Sequence, residues 1–179
     1  MRVMGISGLP GSGKSFVSEI AAEKGAMIVS MGDIIREEAK KRGESTKETA
    51  QNLRKEHGQY IVAELTVEKI KEIRKEGFAS SIIVEGIRSP YEVNLFKESF
   101  EDFIILSVFA NPDIRFERIK SRQREDDTTD YETFVSRDQR ELDFGIGDVI
   151  SLSNKLLINE SDLDSYLKQI NEFLEEYEI

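Results

Sequence analysis

The 179-residue chain has no cysteine, no tryptophan and a single histidine. Without cysteine there is no disulfide and no thiolate metal site, and His57 alone cannot build a histidine cluster for zinc. Magnesium, which takes oxygen ligands, is the metal these absences leave. No run approaches the roughly 18 apolar residues of a membrane span, so no membrane partner is expected. Positive charge is scarce too. With 25 Lys and Arg against 35 Asp and Glu, the formal net charge is −10, which argues against a broad nucleic-acid surface, because duplex binding rests on neutralising many phosphates. A small anion in a local basic pocket stays compatible. Strand-like residues begin almost at once, with no signal-peptide pattern before them, and the cytoplasm is the expected location. The oligomeric state is left open.

What is present starts with "GLPGSGKS", residues 8–15, set between the apolar run "MRVMGIS" and the helical pattern "FVSEIAAEKG". The spacing Gly8-x-x-x-x-Gly13-Lys14-Ser15 is that of a phosphate-binding loop, whose backbone N–H groups converge on polyphosphate oxygens. Glycine permits the backbone conformations such a hollow needs, and the following helix N-terminus favours an anion. The expected ATP-binding set is Gly8, Leu9, Pro10, Gly11, Ser12, Gly13, Lys14, Ser15 and Phe16, with Lys14 on the β- and γ-phosphates and the Ser15 hydroxyl on Mg²⁺. The bland alternative is a glycine-rich turn capping a helix.

Further apolar runs of strand length follow at 26–30, 80–86, 103–110 and 155–159, alternating with helical patterns. One helix is stopped by Gly43, and "STKE" at 45–48 has the form of a capping box. Residues 46–76 predict two helices broken near Gly58. Ser89-Pro90 and Asn111-Pro112 start further helices, and Ser161-x-x-Asp164 caps the last. Five short strands alternating with helices predict an α/β fold, a parallel sheet wrapped on both faces, in one domain spanning 1–179. Ligands of such sheets sit at the carboxyl ends of the strands.

Three other stretches fall at those ends. In "SMGDIIRE", Gly32, Asp33 and Arg36 read either as an ordinary helix start with a solvated arginine or as a guanidinium fork for an anionic acceptor. In "IIVEGIRSP", Glu85 is either a solvent-facing strand end or a carboxylate for a magnesium water shell or an acceptor's proton; Gly86 and Arg88 follow it. In "RFERIKSRQREDD", Arg115, Arg118 and Arg122 fall within an arc of about 60° on a helix, giving one basic face. Arg124, Arg137 and Arg140 follow, with the acidic "EDDTTD" between them expected to be mobile. The segment is either a solvated charge run or a lid over a triphosphate, with Arg118, Arg122, Arg124, Arg137 and Arg140 supplying catalytic charge beside Lys14 and Glu85. His57 reads as a surface or packing residue.

These stretches together resemble the P-loop nucleoside monophosphate kinases, adenylate kinase in particular. "GLPGSGKS" looks like that family's phosphate loop, "MGDIIRE" is similar to its Thr-Gly-Asp-Leu-Leu-Arg element, and "VEGIRSP" looks like its Asp-Gly-Phe-Pro-Arg turn. Met31 replaces the threonine, the 85–88 turn is one residue shorter, and the lid is reduced. The C-terminal "NKLLINESDLDSYLKQI" looks more like dephospho-coenzyme A kinase, and the whole chain resembles archaeal adenylate-kinase-related or dephospho-CoA-kinase-like proteins. The resemblance implies a three-layer P-loop fold with a helical acceptor-binding insertion at 32–76 and a short lid at 122–140. It also implies transfer from Mg²⁺-ATP to a small phosphorylated acceptor such as AMP, whose phosphate Arg36 and Arg88 would hold. A ribose hydroxyl of dephospho-CoA is the alternative acceptor. A regulatory NTPase module is the alternative of another class.

Overall fold

The structure, a computed structural model, describes residues 2–77, 79–122 and 127–179. Its frame is a parallel sheet of five strands, β1 (Arg2–Ser7), β2 (Met27–Ser30), β3 (Ser81–Glu85), β4 (Ile104–Phe109) and β5 (Lys155–Ile158), in the spatial order β2-β3-β1-β4-β5. The three inner strands are apolar almost without alternation because both faces are covered, as parallel crossovers require. On one face Val3, Val84 and Ile105 pack with Ile70, Phe96 and Phe103, residues carried by helices and their connections. On the other, Met4, Ile6 and Leu106 meet Val17, Tyr166 and Phe173.

Local chemistry sets the helix ends. Helix α1 (Lys14–Glu23) follows the loop after β1, and α2 (Met31–Arg42) leaves β2 directly and stops at Gly43. Helices α3 (Thr46–His57) and α4 (Ile61–Glu76) part at Gly58, as the sequence predicts. Ser45 and Ser89 each form a reciprocal capping box, with Glu48 for α3 and Glu92 for α5 (Pro90–Ser99). The side chain of Asn111 accepts from Ile114 at the start of α6 (Pro112–Arg122).

One local expectation is corrected, and one short helix adds to the predicted set. Helix α9 (Leu163–Glu176) is capped by Asp162, which accepts from the Ser165 amide and hydroxyl, and not by Ser161 with Asp164. After α7 (Tyr131–Asp143) a short helix, α8 (Ile146–Ser151), buries Ile146 and Val149; its single turn and a half is too short to show a period. Among the described residues no helix is long and apolar enough to cross a membrane.

Candidate active site

Between β1 and α1 the backbone of residues 8–13 is held from outside at every carbonyl. Lys14 Nζ donates to Gly8 O at 2.5 Å and Leu9 O at 3.2 Å, and Arg115 reaches Pro10 O at 3.2 Å. Arg118 approaches Gly11 O at 3.5 Å, Asn159 Nδ2 donates to Ser12 O at 2.9 Å, and the Tyr166 hydroxyl donates to Gly13 O at 3.0 Å. Carbonyls fixed in this way turn the intervening N–H groups toward the cleft. The amides of Gly11, Gly13, Lys14 and Ser15 have no acceptor among the described residues. Gly13 sits at φ 102°, and a Cβ there would lie 2.2 Å from Asn159 Nδ2, so the close grip of Asn159 needs glycine.

The cleft in front of this loop has a volume of about 780 Å³. Gly8, Pro10, Gly11, Gly13, Lys14, Ser15 and Phe16 line it, whereas Leu9 and Ser12 stand behind; Ser12 is buried with its hydroxyl unpartnered. From β3 and its turn come Glu85, Gly86 and Arg88, and from α2 comes Gly32. Ser18, on α1, donates to the Glu85 carboxylate, fixing it beside the loop. Burial pushes the Lys14 ammonium down to about 8, against the pull of Glu141 and Glu85.

The arginines divide. Arg118 lines the cleft and donates to the backbone O and Oδ1 of Asn159 at 3.0 and 3.2 Å. Arg122 lines it too, paired with the buried Asp127 at 2.7 and 2.8 Å, and Arg137 lies 3.8 Å from the same carboxylate. Asp127 therefore anchors the described end of the acidic segment that the sequence predicts to be mobile; Arg124 lies outside the described residues. Arg115 does not extend a basic face. It is buried, makes a bidentate pair with Asp138 at 2.8 and 2.5 Å, and covers the Phe134 ring, because α7 supplies the neutralising charge. Arg140 is exposed on α7 and does not line the cleft. Arg36 also stands outside, held by Asp33 at 2.9 Å with both side chains exposed.

Sequence reasoning missed Glu141, Asn159 and Tyr166. Glu141, one turn after Arg137, lines the cleft and forms an ion pair with Arg88, its carboxylate 3.3 Å from Nε. That spacing of four was the available signal. Asn159 is the residue after β5, at a strand's carboxyl end. Tyr166 sits within the apolar stripe of α9, and burial pushes its phenol up, keeping it a donor.

A second chamber of about 250 Å³ adjoins the cleft, sharing Gly32, Gly86 and Arg88 with it. Arg54, Tyr60 and Val62 from α3, α4 and their connection line it, with Ile35 from α2. Tyr60 stacks on Tyr91 with ring centroids 3.6 Å apart.

A magnesium ion fits the donor set. Among the described residues no group of three or more His, Cys, Asp or Glu could hold a metal, so no all-protein cage is present. Ser15 and Glu85 both line the cleft and offer a hydroxyl and a carboxylate, which suits an ion that keeps several waters and takes phosphate oxygens.

Solved structures share this fold over nearly the whole chain. A Thermus thermophilus protein, TT1252, superposes with a TM-score of 0.67 at 17% identity, covering 98% of this chain and 97% of its own. A sugar kinase from Janibacter sp. gives 0.69 at 12% identity, covering 98% and 95%. At such identities the likeness is one of fold alone. In sequence, a UPF0200 protein of Methanothermobacter thermautotrophicus is 48% identical over 97% of this chain and 90% of its own. One from Pyrococcus furiosus is 40% identical over 94% of each. Residues 7–135, from the end of β1 into α7, match the AAA domain family. The chain belongs to that family over residues 7–135, which hold the phosphate loop and strands β2 to β4, and over nearly its full length to the UPF0200 family.

Proposed function

We propose that the chain is a small-molecule kinase that transfers the γ-phosphoryl group of Mg²⁺-ATP to a phosphorylated acceptor in the adjoining chamber, AMP being the acceptor its motifs imply. The observation that carries this reading is the loop pinned at every carbonyl from Gly8 to Gly13, opening onto a cleft that runs past Arg88 into a second chamber. The Janibacter neighbour, a sugar kinase, supports phosphoryl transfer as a chemistry this fold carries.

In this reading the loop amides and Lys14 hold the donor phosphates. Arg122, Arg137 and Arg118 neutralise charge that spreads onto the transferred group, and Arg88 orients the acceptor. Ser15, with Glu85 at the water shell, would hold Mg²⁺, which when bound would supply further charge neutralisation on the phosphates. Arg140 and Arg36, which do not line the cleft, are given no part in this reading. Phosphoryl transfer is mainly positioning and electrostatics, so no protein nucleophile is needed. A screen of AMP, CMP, UMP, GMP, dephospho-CoA and simple hydroxyl compounds for ADP release tests the proposal. No stimulation over background hydrolysis by any of them would favour a regulatory NTPase.

Glu141 gives a second reading a specific footing, since it is a carboxylate in the cleft that a hydroxyl acceptor could use as a base. Glu141→Gln separates the two. With an anionic acceptor, the native carboxylate competes for Arg88, and its loss lowers the acceptor KM several-fold with kcat kept. With a hydroxyl acceptor, losing the base lowers kcat by roughly 10²-fold or more.

Lys14 also makes binding pH-dependent. A polyphosphate favours the ammonium, whose pKa is about 8 without it. Affinity for a non-hydrolysable ATP analogue is expected to be steady below pH 8 and to fall by up to about tenfold per unit above it, with proton uptake on binding. Isothermal titration in buffers of different ionisation heat measures both. Constant affinity from pH 7 to pH 9.5 would contradict the assignment.

A further inference from the structure

The kinase reading leaves open which group receives the acceptor's charge. Arg36, the residue that motif resemblance offers, is spent on Asp33 and lines neither chamber. Arg54 differs on each point. It lies on α3, is half-buried, and lines the second chamber. Its guanidinium's one hydrogen bond among the described residues runs from Nη1 to Ala50 O at 3.3 Å, and no carboxylate lies within ion-pair distance of it there. In a chain of net charge −10, Arg36, Arg42, Arg88, Arg115 and Arg122 all have acidic partners and Arg118 is held by three carbonyl oxygens, two of Asn159 and one of Gly11, whereas the Arg54 guanidinium faces its cavity with a single carbonyl bond. Guanidinium is also weakly hydrated and presents a planar fork matched to phosphate oxygens.

The remaining walls say what the rest of the ligand is. Ile35, Val62 and Phe144 are apolar, and Tyr60, braced by Tyr91, gives a rigid aromatic edge. Of the two carboxylates on the wall, Glu92 is occupied by the amides of Arg88 and Ser89 and Asp143 by Gln139. About 250 Å³ is below the usual range for sites that enclose drug-sized ligands. Arg88 is the cation common to both chambers, so a group held there faces the phosphate loop, while Arg54 belongs to the second chamber alone.

We infer that Arg54, together with Arg88, receives the anionic group of a small phosphomonoester with a compact, partly apolar body, and that Arg36 does not. This rests on the kinase reading for the role of that molecule as acceptor. Its binding can be measured without turnover.

The test uses the full chain as wild type, Arg54→Ala, Arg54→Lys and Arg36→Ala, each first saturated with a non-hydrolysable ATP analogue to fill the donor site, then titrated with AMP and with inorganic phosphate. Arg54→Ala is expected to weaken AMP binding by about tenfold or more, the scale of a lost charge-assisted hydrogen bond. Affinity for the ATP analogue should stay within about twofold and the melting temperature should hold. Arg54→Lys should recover part of the loss, and Arg36→Ala should match wild type. The inference is overturned if Arg54→Ala binds AMP as wild type does, if Arg36→Ala takes the loss, if analogue and AMP affinities fall together, or if wild type takes up neither AMP nor phosphate. A wild type that binds AMP through Arg54 yet yields no ADP would count against the kinase reading and leave this assignment standing.

Discussion

Lys14→Ala is expected to lower phosphoryl transfer by roughly a hundredfold or more while leaving the chain as stable as before, or slightly more stable at neutral pH. The activity loss is the scale of removing one preorganised charge from a site where charge develops. The stability half comes from the depressed pKa. Burial holds the Lys14 ammonium at about 8 against an ordinary 10.5, so between these values the unfolded chain binds more protons than the folded one, and stability rises with pH through that window. Below pH 8 the folded chain carries the full cost of a desolvated cation. Alanine removes that cost together with the bonds to the Gly8 and Leu9 carbonyls, and the two partly cancel. Steady-state ADP formation and a thermal melt on the same preparation measure the two halves. Undiminished turnover would remove Lys14 from the donor site. A fall of more than a few degrees in melting temperature would make its bonds to the loop carbonyls the dominant effect.

The phosphate loop was legible because everything that defines it lies within eight consecutive residues. The helix stops at Gly43 and Gly58, the box at Ser45 and the cap at Ser89 were legible for the same reason, their partners being three or four positions away. The grip on the loop was not. Asn159 and Tyr166 meet Ser12 and Gly13 across 147 and 153 residues, and an asparagine after a strand or a tyrosine in an apolar stripe has no local signature of that contact. The arginines show a subtler failure. Spacing placed Arg115 with Arg118 and Arg122, but whether an arginine faces solvent or core depends on a distant partner, and Asp138 decides it for Arg115.

The face of α7 follows from geometry that spacing alone could have used. Taking Arg137 as zero at about 100° per residue, Glu141, Phe134 and Asp138 fall at about +40°, +60° and +100°, and Arg140 at about −60°. The buried Phe134 marks the inward side, so Arg140 points away while Glu141 enters the cleft. The local pairing of Arg36 with Asp33 escaped the motif for a related reason. An aspartate three residues earlier on the same helix is a ready partner, and motif resemblance carried no information about that pairing.

Asp138→Ala should produce the largest stability loss of any single change at the site. Arg115 is 2% exposed, and its guanidinium is satisfied by Asp138 together with the carbonyls of Ala110 and Pro10. Removing the carboxylate leaves a buried cation with only neutral acceptors. Breaking one side of a buried pair costs about 3–5 kcal/mol, a drop on the order of 10 °C in melting temperature for a chain of this size. The double change Arg115→Met with Asp138→Ala should recover part of that loss, because an apolar side chain no longer needs the counter-charge. It should not restore the donor site, since methionine cannot hold the Pro10 carbonyl. Affinity for the ATP analogue is therefore expected to stay low in the double variant while its melting temperature rises above that of Asp138→Ala. A single variant melting within about 2 °C of wild type would mean that solvent reaches Arg115 and that the pair is not the strut between α7 and the loop. Recovery of stability and affinity together would mean that the loop keeps its shape without Arg115.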